Sequence, residues 1–459
     1  MSTTFLEKSQ SAGNRQTWTM SMWIKTSVNN DEQPLFSSAS NSDNQDLAYI
    51  EAGGNLRWWT YQSAAYVGQL RTSRVLRDAN AWYHLVFVFD STNATADDRM
   101  RIYINGVQET SFAARNNPAQ NSNTLWNGTL DQTIGLDASG GYVDKFDGSM
   151  SHIHFIDGTA YDATAFGQYD ANGVWTIKTS PSVTYGTNGF FILKDGNSVT
   201  DQSGNSNNFT VQASGTLTKT EDSPSNVFDT INTNFSKTGG VAGRDPGIRI
   251  FIDNGATRLS TDVALWTTML GSIPMFSGKY YWECKRTYEG SPSNHLARVG
   301  IEPLDTAGTT LGSPVGTNTD SINYQTEGGG LKSNSSYSGT YDSWQSNNDI
   351  VQIAVDMDNH FIYFGKNGIW QNSGDPTSGS SGTGGIAITP GKGYVNGFTV
   401  HRGGGSAGGD KSMLKMNFGN GYFQTTAVAS AGTNASGNGI FEYDVPTGYT
   451  ALSTKGLNL

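Results

Sequence analysis

Residues 82–90 read WYHLVFVFD, and the run is apolar on both faces of a two-residue repeat. A strand of that kind belongs in the middle of a sandwich, covered on both sides. Working outward, WTMSMWIK (18–25) alternates, with Trp18, Met20, Met22 and Ile24 on one face. RMRIYIN (99–105) alternates again and ends at Asn105-Gly106, a strong short hairpin signal. SMSHIHFID (149–157) is a further strand. Amphipathic helix patterns are scarce, and YDATAFGQ (161–168) holds one short turn.

A second block of strands starts near residue 248. GIRIFIDNGATRL reads as strand, Asn254-Gly255 turn and return strand. GKYYWECKRTYE (278–289) places Tyr280, Trp282 and Cys284 on one face, and ARVGIE (297–302) follows. IVQIAVDMDNHFIYFGKNGIW (350–370) reads as strand, turn at 356–359, strand, then a turn at Asn367-Gly368; LKMNF (414–418) is a late strand. The polar stretch TEDSPSNVFDTINTNFSKTGGVAGRD (220–245) alternates poorly and marks a boundary. The Gly/Ser-rich runs 373–385 and 403–409 are short enough to be strand connections. No period of 20–50 residues appears, against a propeller or solenoid.

Composition agrees. The 459 residues include 56 Gly, 52 aromatics and only 15% charged residues. That mixture fits turn-rich all-β protein and argues against helical bundles. A net charge of −11 argues against a nucleic-acid partner, because neutralising phosphates needs a basic face. The single Cys excludes a disulfide framework within the chain and a cysteine-based zinc site. No apolar run approaches the roughly 20 residues of a membrane span, so membrane insertion is not expected. The start MSTTFLEKSQ lacks the layout of a secretory signal, which predicts a chain made in a cytosol or exported by a route the sequence hides.

TWTMSMWIKTS (17–27), AWYHLVFVFDST (81–92), RMRIYINGVQ (99–108) and FDGSMSHIHFIDG (146–158) make the first block resemble the concanavalin A-like lectin/laminin-G superfamily. SGKYYWECK (277–285), ARVGI (297–301), VQIAVDMDNHFIYFGKNGIW (351–370) and LKMNFG (414–419) make the second resemble a SPRY domain. The segments 155–178, 185–192, 201–210, 222–228 and 439–457 are similar to a stretch of structural proteins of marine tailed bacteriophages, where a lectin-like and a SPRY-like domain are joined in this way. The resemblance implies an all-β chain of two tandem concanavalin-like β-sandwich (jelly-roll) domains with few short helices. The expected division is 1–220 for the first sandwich, 221–245 for a linker, and 246–459 for the SPRY-like sandwich with a C-terminal extension. It further implies a virion protein, on the surface of the tail or capsid, with other virion proteins and further copies of itself as partners.

Retaining glucanases on this fold carry E-x-D-x-x-E, two carboxylates about 5 Å apart as acid and nucleophile. No such run occurs here; Asp356, Asp358, Asp97 and Asp98 fall in turns, and the G-x-S-x-G spelling at 404–408 lies inside the Gly-rich run 403–409 rather than at a strand-to-helix elbow. The expectation is no enzyme, no catalytic residue and no required cofactor. His152 and His154 lie two apart on one strand, and either pinch a metal or pack against Met150 and Ile156; packing is the expectation. Lectins on this fold hold Ca²⁺ through loop oxygens, and Asp137, Asp144 and Asp147 are the matching candidates. Cys284 reads as a small buried apolar residue and His84 as a core histidine.

Sugar sites combine an aromatic platform with amides and carboxylates for hydroxyls. Trp126, Tyr142, Tyr337, Tyr341, Trp344 and Asn347 are the glycan-binding candidates, and the 335–348 cluster has the best mixture, although for any single ring packing in a core or subunit contact is the expectation. Trp58 and Trp59 are adjacent, so in a strand one of them points outward. Two functions follow from these residues together with the resemblance. One is a tail fibre or tail-associated adhesin that binds host surface polysaccharide. The other is a capsid or tail decoration protein that binds only other virion proteins. Gly-rich loops tolerate variation, which suggests the second domain is distal and the first anchors.

Overall fold

The Tyr83–Asp90 strand is buried along both faces. Leu85, Phe87 and Phe89 enter one core and Val86 and Val88 another. The structure is a computed structural model that describes every residue except 1–3, 27–30, 79–80, 140–143, 195–197, 213–216, 219, 237–249, 254, 262–265, 290–294, 308–313, 327–329, 334–335, 403–410 and 459. The chain divides into two units, Met1–Lys219 and Thr220–Leu459. Both are built from antiparallel sheets, as the alternating sequence predicts.

In the first unit an eight-stranded sheet runs Phe112–Asn116, Ala65–Val75, Asn55–Gln62, Asn44–Ile50, Gln33–Asn41, Gln132–Ile134, Phe5–Lys8, Thr210–Gln212. A six-stranded sheet runs Phe190–Ile192, Gly148–Asp157, Thr17–Thr26, Tyr83–Asp90, Met100–Ile104, Val107–Gln108. Between them lie Trp18, Phe36, Trp58, Phe87, Phe89, Trp126 and Phe155. Trp18 stacks on Phe89 at 5.8 Å and meets Trp58 edge-on at 5.5 Å. Each such ring removes 150 Å² or more from water, about 4 kcal/mol at the usual coefficient.

The second face of the six-stranded sheet is covered too. Residues 161–168 form the single short turn read from the sequence, Ala163–Ala165, started by Asp162 accepting from Thr164 N at 2.8 Å. The Gly167–Tyr169 and Trp175–Ile177 hairpin follows. Trp175 packs against the Asn105-Gly106 turn, whose residues take φ of 48° and 82°. His84 is locked below this cover. Its Nδ1 accepts from Trp175 Nε1 at 3.1 Å, so Nε2 carries the proton and donates to Ser21 Oγ at 2.9 Å.

In the second unit a seven-stranded sheet runs Ile231–Ser236, Thr267–Gly271, Tyr394–Arg402, His295–Pro303, Ile322–Gln325, Gly330–Ser333, Ser336–Thr340. The other sheet runs Ile250–Asp253, Arg258–Thr261, Lys411–Asn417, Lys279–Glu289, Ile350–Asp356, Phe361–Lys366, Ile369–Trp370. Trp282 and Cys284 share the inward face, as the alternation predicts. Cys284 lies 3.9 Å from Met416 Sδ, and burial pushes its thiol pKa well up. Buried Glu283 holds the C-terminal segment: Oε1 accepts from Tyr443 N at 2.8 Å and Oε2 from Glu442 N at 2.9 Å. The Gly/Ser run 373–385 is a pair of short turns rather than an open loop, with Asp375 accepting from Thr377 N at 2.8 Å. The run 403–409 lies outside the described residues.

The linker expected over 221–245 needs correction at its start. Phe228 and Ile231 sit in the core of the second unit, and Asp229 is fully buried. Asp229 accepts from Ser272 N at 2.7 Å, Ile273 N at 2.8 Å and Asn396 Nδ2 at 2.7 Å. The segment is polar because its polar groups have internal partners, not because it faces water. Residues 237–245 lie outside the described residues.

Candidate functional site

Most of the aromatic residues singled out for sugar contact face inward. Trp126 is 1% exposed; its backbone N–H donates to buried Asp46 at 2.7 Å and its ring meets Phe36 at 5.0 Å. Trp344 and Tyr341 belong to the second core, 5.8 Å and 5.6 Å from the Tyr324 ring. These three are corrections to the expected site. The polar residues around them read as a loop, and composition does not say which way the rings in a loop turn. Asn347 is exposed and its Oδ1 accepts from Tyr288 N at 3.3 Å. Tyr337 lies in the Ser336–Thr340 strand opposite Lys332, and nothing more is described of it. Tyr142 lies outside the described residues.

The two histidines do not form a pincer. A bulge between Ser151 and His154 inserts a residue, and His152 takes a φ of 47°. His154 stacks on Phe191 at 3.9 Å and bonds Tyr185 through Nδ1 at 2.9 Å, whereas His152 Nδ1 bonds Ser151 Oγ at 2.7 Å. Asp137 Oδ1 accepts from Ser139 N in its own loop at 2.8 Å, and Asp147 N donates to Gln33 Oε1 at 2.7 Å. Among the described residues no three His, Cys, Asp or Glu side chains gather as a metal group.

The strongest surface constellation lies elsewhere, on the outer face of the eight-stranded sheet. Along Asn55–Gln62, Leu56, Trp58 and Thr60 turn inward, and Arg57, Trp59 and Tyr61 turn outward. The adjacent-tryptophan argument therefore holds, with Trp59 as the outward ring. Register then fixes the neighbours. Trp59 stands opposite Leu47 and Gln69, Arg57 opposite Tyr49 and Arg71, and Tyr61 opposite Gln45 and Tyr66. Cross-strand partners at these spacings touch.

Arg57 organises the cluster. Its guanidinium lies 4.6 Å over the Trp59 ring, Nη1 donates to Tyr49 OH at 3.2 Å and Nη2 to Tyr66 OH at 2.8 Å. With its amide oxygen toward Arg57, Gln69 accepts at 2.7 Å and 2.9 Å. Glu51 bridges Arg57 at 3.5 Å and Arg71 at 2.7 Å. Tyr49 meets Trp59 edge-on at 5.1 Å, and Tyr61 meets Tyr66 at 4.9 Å. Burial opposes the charge on Arg57, but Tyr49, Tyr66 and Glu51 outweigh it and raise its pKa. Burial pushes the Tyr49 hydroxyl up to about 12 against the pull of Arg57, so it stays protonated. Tyr66 remains 40% exposed. The result is an aromatic cluster carrying polar groups fixed by a strand framework. Only the Trp58-Trp59 pair hinted at it. The fuller signal is NLRWWTYQ, where Arg, Trp and Tyr recur at every second residue.

Comparison with known proteins agrees with the fold of the first unit. Residues 4–164 match the family described as the concanavalin A-like lectin/glucanases superfamily. No curated protein matches the chain. Among solved structures, the SPRY domain of human HERC1 is 18% identical, covering 37% of this chain and 96% of its own, with a TM-score of 0.28. A human SPRY domain is 17% identical over 37% of this chain and 96% of its own, TM-score 0.27. A heptameric SAP-like pentraxin from Limulus polyphemus is 16% identical over 35% of this chain and 72% of its own, TM-score 0.26.

Proposed function

We propose that this chain is a non-enzymatic carbohydrate-binding protein displayed on the surface of a phage particle, with its glycan contact on the sheet face around Trp59. The observation that carries the reading is the Arg57-Trp59-Tyr66 arrangement. A half-exposed aromatic cluster is held by a network whose side chains already bond one another, so little ordering remains when a sugar arrives. The lectin-like match of residues 4–164 supports binding of this class. The virion setting rests on the sequence resemblance of the joining and closing segments. On this reading the first unit, rather than the second, faces the host, the reverse of the order expected from the Gly-rich loops.

The second unit favours a different contact. Phe276 is 68% and Leu304 39% exposed, and both border Gly393 in one apolar patch suited to other proteins of the particle. The test is a binding screen of the whole chain against host lipopolysaccharide and a glycan panel, run beside Trp59→Ala and Asn347→Ala. Trp59→Ala is expected to lose at least tenfold in affinity and Asn347→Ala to bind as wild type. No glycan bound, with the chain still assembling on particles that lack it, would replace the adhesin by a decoration protein.

A further inference from the structure

The hydrogen-bonding groups around Trp59 are unequal in kind, and the inequality selects a ligand. Each carboxylate oxygen of Glu51 already accepts from an arginine, Oε1 from Arg57 at 3.5 Å and Oε2 from Arg71 Nε at 2.7 Å, which leaves one lone pair on each. The amide oxygen of Gln69 is occupied by Arg57, which leaves its NH₂. The hydroxyl oxygens of Tyr49 and Tyr66 each accept from Arg57, so each has its hydrogen left to give. The indole N–H of Trp59 is shielded from water and meets no acceptor. Arg71 commits only Nε, and its side chain is 37% exposed with both terminal amines uncommitted. Gln45 Oε1, on the strand position opposite Tyr61, is a further acceptor but is shielded from water.

Such a surface is rich in donors and poor in acceptors. A neutral sugar hydroxyl brings a donor with every acceptor, so its hydrogens would be left without partners, which is costly in a partly desolvated site. A carboxylate brings acceptors alone, and two terminal amines of a guanidinium match its two oxygens as a planar fork. We propose that the ligand of this face is a carboxylate-bearing saccharide of the uronate or sialate kind, its carboxylate on the terminal amines of Arg71 and its ring against Tyr66 and Trp59. The inference rests on the glycan reading of the same face. Glu32, which is exposed, also acts on Tyr49, Arg57 and Glu51. Asp137 and Asp144 act in turn on Glu32, so carboxylates outnumber the two guanidiniums, and recognition comes from the free edge of Arg71 rather than from a positive field.

The experiment is titration calorimetry of the whole chain with oligogalacturonate, oligomannuronate and sialyllactose, each beside its own methyl ester, and with a panel of neutral oligosaccharides. Esterification removes the charge and keeps the ring. At least one acid is expected to bind tenfold or more tightly than its ester. Arg71→Gln should erase that difference by weakening the acid while leaving the ester unchanged, and Trp59→Ala should weaken both. Arg71→Gln is half-exposed and is checked for folding by circular dichroism. If no acid binds more tightly than its ester while some saccharide binds through Trp59, the carboxylate inference is overturned and the glycan reading stands. If no saccharide of any kind binds, both are overturned.

Discussion

Trp58 and Trp59 are consecutive residues in different media. Trp58 is 1% exposed between the sheets, ringed by Trp18, Phe87 and Phe89 at 5.5–6.3 Å. Trp59 lies under a guanidinium on the outer face. Alanine at 58 opens a cavity in a packed core and should cost about 3–5 kcal/mol in denaturant unfolding. Alanine at 59 removes a half-covered ring and one cation–π contact, about 1–2 kcal/mol, yet it should cost at least tenfold in glycan affinity. The pair thus separates stability from recognition, and equal stability losses at both would show that Trp59 is only packing. His84 offers a second test. Burial holds its imidazole pKa down to about 3, against an ordinary 6.5. Below pH 6.5 the unfolded chain takes a proton that the folded chain refuses until about pH 3, so the stability present above pH 6.5 is lost as pH falls. Between pH 7 and 4.5 the loss from this group is about 2.5 kcal/mol. Asp46 opposes it in the same unit: burial raises its pKa to about 6, so the folded chain binds a proton first as pH falls toward 4 and regains stability. His84→Gln is expected to be less stable than wild type at pH 7 but to lose less between pH 7 and 4.5, as read from denaturation curves at each pH. Parallel curves for the two proteins would sink this account.

At the scale of elements, the Asn105-Gly106 hairpin shows how a local turn supports a layer. Gly106 has φ of 82°, and a Cβ there would fall within the Trp175 ring. Gly173, in the covering hairpin, has φ of 78° with nothing within 4 Å. Both sites carry the same backbone strain for alanine, about 1 kcal/mol; only Gly106→Ala also displaces Trp175 and its bond to His84. Gly106→Ala should therefore lower stability by about 2 kcal/mol more than Gly173→Ala, and equal losses in thermal unfolding would contradict the layer's role. This scale also shows what was legible beforehand. Two-residue alternation and Asn-Gly turns disclosed the strands at 18–25, 82–90 and 99–105, because burial on one or both faces writes itself into the period. The bulge at His152 was not legible: a single extra residue changes which face a side chain takes without changing composition. Nor was the inward turn of Tyr341 and Trp344, since Ser, Asn and Asp between them looked like solvent contacts. The Trp59 face was half legible. Strand geometry required one outward tryptophan, but Tyr49, Tyr66 and Arg71 join it only through cross-strand register, which one sequence does not display.

At the scale of the whole molecule, the position of the boundary is decided by four residues. The polar run after residue 219 looked like a tether, yet Phe228, Asp229, Thr230 and Ile231 are all at most 1% exposed, and they belong to the unit that begins at Thr220. Removing them would leave the N–H groups of Ser272 and Ile273 and the amide of Asn396 without the carboxylate they bond, at about 1–3 kcal/mol for each buried group left unsatisfied. It would also empty the places of a phenylalanine and an isoleucine in the core, about 2–5 kcal/mol each. Together these losses match or exceed the 5–15 kcal/mol that stabilises an ordinary domain. Two fragments therefore should behave differently although they differ by only a short stretch of chain. Residues 220–459 are expected to fold alone, with a near-ultraviolet circular dichroism signal from their packed aromatic core and a single cooperative thermal transition. Residues 246–459 are expected to lack both and to aggregate. Matching melts for the two fragments would restore the stretch to a linker and remove Asp229 from the framework of the second sandwich.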